Sequence, residues 1–119
     1  MDKQSTELMQ QIAAILKDKL AFNVEVINIG EVSIIADYFV IASGRTDAHV
    51  RALYEYVDEG IKEKTGLDPL HTEGTDNARW IVMDYGSVIV HIFHNDEREF
   101  YSLEKLWAEA PRTKLEEND

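Results

Sequence analysis

Within the stretch NARWIVMDYGSVIVHIFHNDEREFYSLEKLW, residues 77–107, the chain sets Trp80, Asp84, Tyr85 and His91 close together. An acid, two aromatic rings and an imidazole can serve three chemistries. They can be a general acid–base pocket, a metal site, or an aromatic anchor with charged flanks on a docking face. Two apolar runs meet at Asp84-Tyr85-Gly86-Ser87, the pattern of a β-hairpin. Alternation puts Trp80, Val82 and Asp84 on one face of its first strand and Arg79, Ile81 and Met83 on the other. A two-residue turn at Tyr85-Gly86 sets Trp80 opposite His91 and Val82 opposite Ile89, but asks Tyr for an unfavourable positive φ. A three-residue turn over Asp84-Tyr85-Gly86 sets His91 across from Arg79 and joins Val88, Val90 and Ile92 to Trp80. A slip of one residue flips the whole set, and both registers stay open at this level.

The metal reading is weak. His91 and His94 stand three apart, on opposite faces of a strand, and His49 and His71 have no ligand-spaced companion. No metal or cofactor is expected. Catalysis has little to build on. Ser43-Gly44-Arg45-Thr46 lies at a strand-to-helix junction, where a nucleophile or an anion site is conceivable. Neither a G-x-S-x-G elbow nor a phosphate-binding glycine loop surrounds it, so Ser43, Gly44 and Thr46 read as turn and cap residues. Nucleotidyltransferases share such a Ser-Gly turn but need closely spaced strand carboxylates for two metal ions. The strands here offer Asp84 alone, with Glu97 and Glu99 beyond the hairpin.

A chain of 119 residues with 45% hydrophobic content fits one domain with its own core, residues 1–119, ending in a flexible acidic tail at 111–119. Without cysteine it has no disulfide or thiolate chemistry, as expected of a reducing compartment. No apolar run is long enough to span a bilayer and Met1-Asp2-Lys3-Gln4 does not open a signal peptide, so a soluble cytoplasmic protein is expected. Twelve Lys and Arg against 23 Asp and Glu give a net charge of -11. That charge disfavours bare nucleic acid and favours encounter with a basic protein.

The elements that must position the cluster follow from periodicity. Leu8, Ile12, Ile15, Leu16 and Leu20 form a helical stripe over about Ser5–Leu20, with Ser5 as N-cap and Glu7 in the first turn. Asn23–Ile29 alternates as a strand, and Tyr38–Ala42 is apolar on both faces, the mark of a central strand. A helix from Thr46 or Asp47 to Lys64 buries Val50, Leu53, Tyr54, Val57 and Ile61 and stops at Gly66. Gly60 inside it costs about 1 kcal/mol against Ala. Pro69 confines any strand in Leu67–Glu73 to an edge, or itself to the strand's beginning. The hairpin follows, and HNDEREFYSLEKLW reads as one or two short helices. These elements predict an α/β domain with a mixed sheet of about five strands flanked by helices.

ADYFVIASGRTDAHVRAL, HTEG, ARWIVMDYGSVIVHIF and REFYSLEKLW, in this order and spacing, resemble the Iojap/ribosomal silencing factor (RsfS) family over nearly the whole chain, roughly Ser5 to Ala110. The resemblance implies a nucleotidyltransferase-like fold without the catalytic acids, and no enzymatic activity. It implies docking on a basic protein of the large ribosomal subunit, ribosomal protein fourteen, where the small subunit otherwise joins. Translation is then repressed when nutrients are scarce. Organellar relatives act in large-subunit assembly, and some members pair as homodimers when free. On this sequence the docking residues would be Trp80, Asp84, Tyr85 and His91, with Glu73 and Asp76 adding negative charge. Ser87 departs from the family's usual Asp and removes a salt bridge; Thr46 replaces Ser and keeps the hydroxyl.

Overall fold

The structure is a computed structural model and describes residues 3–95 and 112–114. Its elements run α1 (Lys3–Asp18), β1 (Phe22–Asn28), a short 3-10 turn (Ile29–Glu31), β2 (Tyr38–Gly44), α2 (Asp47–Thr65), β3 (His71–Glu73), β4 (Trp80–Asp84), β5 (Val88–His94) and β6 (Arg112–Lys114). The six strands form one sheet in the order β3-β4-β5-β2-β1-β6. Among the described strands only β2 and β5 pair in parallel; every other neighbour is antiparallel. The expected mixed sheet with flanking helices is present, with one strand more than expected. Residues 96–111 lie outside the described ones, and with them Glu97, Glu99 and the terminal helices expected there.

Both helices lie on the same side of the sheet. Leu8, Ile12 and Leu16 of α1 and Val50, Leu53, Val57 and Ile61 of α2 pack on Val24, Val26, Val40, Ala42, Ile81, Met83, Val88, Val90 and Ile92. Each Val, Leu, Ile or Met side chain among these contributes about 1.5–3 kcal/mol when taken from water. Gly60 has its reason in this layer: a Cβ there would come 2.7 Å from Ile15 Cδ1, so the missing side chain lets the helices close up. Residues of opposite parity form a second cluster, Ile27, Ile29, Ala36, Phe39, Ile41 and Phe93, on the other side of the sheet. β2 is buried at all seven positions, as its apolar run predicts for a central strand.

Helix ends follow local chemistry. Thr46 caps α2, its Oγ1 accepting from His49 N–H at 3.0 Å, and Gly66 closes it in the left-handed region at φ 78°. At α1 the sequence reading needs correction. The helix begins at Lys3, so Ser5 is an interior residue; it is buried, and its hydroxyl donates to Asp37 Oδ2 at 2.6 Å. Leu20 is not part of the buried stripe. Leu20 N–H bonds Lys17 O and Ala21 N–H bonds Leu16 O, a Schellman closure that puts Leu20 at φ 67° with its side chain in solvent.

Of the expected tail at 111–119, only residues 112–114 are described. Arg112–Lys114 add β6 to the open edge of β1, pairing Thr113 with Val26. Strand pairing there uses backbone groups, which Arg-Thr-Lys supplies without any apolar alternation for a reader to find.

Thr46→Ala should lower folding stability by about 1 kcal/mol and Thr46→Ser by far less. Urea unfolding of the two variants beside the native chain checks this.

Candidate functional site

The site is built by the turn between β4 and β5. Tyr85 N–H donates to Val88 O at 2.9 Å, which leaves Gly86 and Ser87 as the two-residue loop. Gly86 has φ 90° while Ser87 does not, the pattern of a type II′ turn, and Asp84 Oδ1 steadies it by accepting Gly86 N–H at 2.7 Å. Neither register read from the sequence is therefore correct. Glycine takes the first turn position instead of the second, which relieves Tyr85 of a positive φ. The pairs are Asp84 with Ile89, Val82 with His91 and Trp80 with Phe93. This register moves the Tyr85-Gly86 alternative by two residues, so its division of faces survives.

Residues paired across strands share a face, and three rows can be read across the one opposite the helices. His71, Asp84, Ile89, Phe39 and Ile27 form the first. Glu73, Val82, His91, Ile41 and Glu25 form the second, and Trp80, Phe93 and Ser43 the third. The rows are buried at their centre and open toward β3 and β4. Glu73 and His71 are exposed, and Trp80, Val82 and Asp84 are half-buried. His71 Nε2 lies 3.0 Å from Glu73 Oε1.

Trp80 is held from two sides. Its ring stacks on Phe93 with centroids 4.9 Å apart, and its indole N–H donates to His91 Nδ1 at 3.1 Å. His91 itself lies underneath, only 6% exposed, edge-on to Phe39 at 4.6 Å. Burial pushes its pKa down to about 4, so the imidazole is neutral at physiological pH. A neutral ring that accepts at Nδ1 carries its proton on Nε2, and that atom is buried with no hydrogen-bond partner.

Asp76 stands exposed in the β3–β4 connection. Arg51 of α2 holds that loop, its Nη2 donating to Thr75 O at 3.3 Å and Asp76 O at 3.0 Å. Gly74 is obligatory there: at φ 86° a Cβ would fall 1.9 Å from Trp80 O. The loop thus fits closely on the backbone that presents Trp80.

Of the six expected docking residues, Trp80, Asp84, Glu73 and His91 share one face, and Asp76 lies in the β3–β4 connection, whose backbone is tied to Arg51 of α2. Tyr85 does not join them. Its odd position turns it onto the helix side, where it is 9% exposed within the core and its hydroxyl is buried. Burial, then the fields of Asp58 and Asp68, raise its pKa well above the ordinary value. His91 is a support beneath the surface, not part of it. Sequence reading missed an apolar rim at the turn end of the sheet: Val32 (47% exposed), Ile34 (103%) and Ile35 (58%) on one side, Leu70 (77%) on the other. Asp37 N–H to Ser87 O and Leu70 N–H to Asp84 O tie both flanks to the hairpin. The signal was present as EVSIIAD, three aliphatic residues between strands without a periodic partner.

The described residues around Ser43 have structural roles. Ser43 is buried in β2, Thr46 is a cap, and Asp47 is engaged by Arg79 at 3.2 Å with His94 Nε2 at 3.9 Å. Among the described residues no three His, Asp or Glu converge as metal ligands, and no helix is long and apolar enough to cross a membrane. Among the described residues, fold and site define a small α/β domain, with two helices on one side of a mixed sheet and an aromatic margin with acids on the other.

Comparison with known proteins gives the particular family. Residues 2–119 match the family model described as ribosomal silencing factor during starvation, RsfS, and the chain belongs to that family. It is 39% identical to the ribosomal silencing factor RsfS of Halalkalibacterium halodurans over 110 residues, 92% of this chain and 93% of that one. Against the Bacillus subtilis protein of the same name it is 38% identical over 109 residues, 92% of each. A crystal structure of a protein from Chromobacterium violaceum superposes with a TM-score of 0.83 at 26% identity, covering 91% of this chain and 88% of that one. The family is one of ribosomal regulators, and the chain is a regulator rather than an enzyme.

The buried imidazole predicts a pH response. The unfolded chain takes up a proton near pH 6.5, whereas folded His91 resists it until about pH 4. Acid therefore favours the unfolded state, and between these two values the His91 contribution falls by about 3 kcal/mol in all. Urea unfolding at pH 7 and pH 4.5 should show a smaller loss in His91→Phe than in the native chain.

Proposed function

We propose that this chain silences translation by binding the large ribosomal subunit through ribosomal protein fourteen and obstructing the approach of the small subunit. The observation that carries the reading is a half-buried Trp80, fixed by Phe93 and His91, on the same sheet face as Glu73 and Asp84. A rigid aromatic is the usual energetic centre of an interface, because it brings large area at low entropic cost. Acids around it steer a basic partner and set its orientation more than they add affinity. The net charge of -11 favours the same encounter and disfavours direct, non-specific grip on RNA. Val32, Ile34, Ile35 and Leu70 extend the margin with apolar surface of the kind that partners cover. Action is in the cytoplasm, where ribosomes translate, and it follows from occupancy alone.

On this reading the fold is a nucleotidyltransferase relative without paired carboxylates. Its support is that Asp84, Glu73 and Glu25, the acids of the described strands on this face, sit on three different strands. The rival is a nucleotide-handling enzyme, for which no grouping around Ser43 speaks.

Trp80→Ala should weaken co-sedimentation with isolated large subunits by about 2 kcal/mol or more, roughly thirtyfold. Asp76→Asn should cost about 1 kcal/mol or less and act chiefly on the association rate at low salt. Light scattering of mixed subunits tests the blockade. Saturating native chain should suppress subunit joining, and joining at an unchanged rate would refute the proposal.

A further inference from the structure

We propose that His91 is a positioning residue for the docking face: it fixes the direction of the Trp80 indole by accepting its N–H, and does not touch the partner. The inference rests on the docking reading above and extends it to the residue beneath the anchor.

Stacking and hydrogen bonding constrain different motions. Phe93, stacked at 4.9 Å with 22° between planes, holds the plane of the indole. It does not by itself decide which edge of the ring faces the sheet, because either edge stacks. The bond from Trp80 Nε1 to His91 Nδ1, 3.1 Å, does decide it, since only the pyrrole edge carries a donor. With its N–H engaged by His91, the indole has no hydrogen-bond donor left to offer. A partner then needs an aliphatic or cationic group to meet it, such as the stem and head of Lys or Arg, and not a hydrogen-bond acceptor.

The placement of His91 argues that this bond is why a histidine stands there. The ring is 6% exposed and lies among Phe39, Phe93 and Trp80, an environment that suits a phenyl ring. Its second nitrogen, Nε2, is buried without a partner, and an unsatisfied buried donor costs stability. A phenylalanine would fill the same space without that cost. The Nδ1 lone pair is what histidine adds over phenylalanine here, and Trp80 uses it.

The test uses the full chain with two substitutions. His91→Phe keeps the ring and removes the acceptor, whereas His91→Asn loses ring packing but places Oδ1 where Nδ1 stood. Affinity for isolated large subunits, the unfolding midpoint and Trp80 fluorescence anisotropy (read in a Trp107→Phe background) are measured for each. His91→Phe should bind roughly three- to tenfold more weakly while unfolding no earlier than the native chain, with lower Trp80 anisotropy. His91→Asn should unfold earlier yet bind within about twofold of native. Binding that follows stability across the pair makes His91 merely structural and overturns the proposal. So does native-like binding by His91→Phe where Trp80→Ala has lost it. If Trp80→Ala itself binds like the native chain, the docking reading has failed and this inference falls with it.

Discussion

Gly86 and Ser87 take up the entire turn between β4 and β5, and that count decides which side chains meet on each side of the sheet. Strand side chains alternate, so one residue more or fewer in the loop would turn β5 over against β4. Glycine at φ 90° in the first loop position lets the chain reverse with the twist that antiparallel strands need. With the register set, Ile81, Met83, Val88, Val90 and Ile92 go under the helices, and Trp80, Phe93 and His91 come together opposite them. The helix-side core and the aromatic group are thus two results of one local geometry.

The two sides of the sheet are put to different uses. The helix side is dominated by aliphatic side chains with unambiguous packing preferences, which is where most of the folding energy lies. The opposite side accepts groups that a core optimised for stability avoids: a neutral, half-satisfied imidazole, and a tryptophan left half in water. Such exceptions are tolerable because stability is supplied elsewhere, and they concentrate where a molecule meets others. Gly74 belongs with them, since only a residue without Cβ lets the β3–β4 connection lie against the carbonyl of Trp80.

Much of this architecture could be read from sequence, and the misses have physical causes. Thr46 and Gly66 mark the ends of α2 because capping is local chemistry. The all-apolar run of β2 marks a central strand because both its faces are covered. Trp80 and Asp84 share a face by simple alternation, but Glu73 joins them only through the β3–β4 register, which is a tertiary fact. The family resemblance places Tyr85 among the docking residues, whereas alternation turns its side chain toward the helices. Ser5 has the chemistry of a cap and is used instead to tie α1 to Asp37, a partner 32 residues away. β6 left no trace, because a strand recruited through its backbone to an open edge requires no particular side chains.

That last strand has a bearing on how the protein is made. β1 leaves the ribosome well before Arg112–Lys114, the segment that pairs with its outer edge. At about 5–20 residues per second the delay is on the order of ten seconds. During that interval the nascent polypeptide carries a naked row of amides and carbonyls, the kind of edge on which chains aggregate. Pairing along that edge is therefore a late event in synthesis, and a chain shortened before Arg112 would lack the backbone partner of Val26.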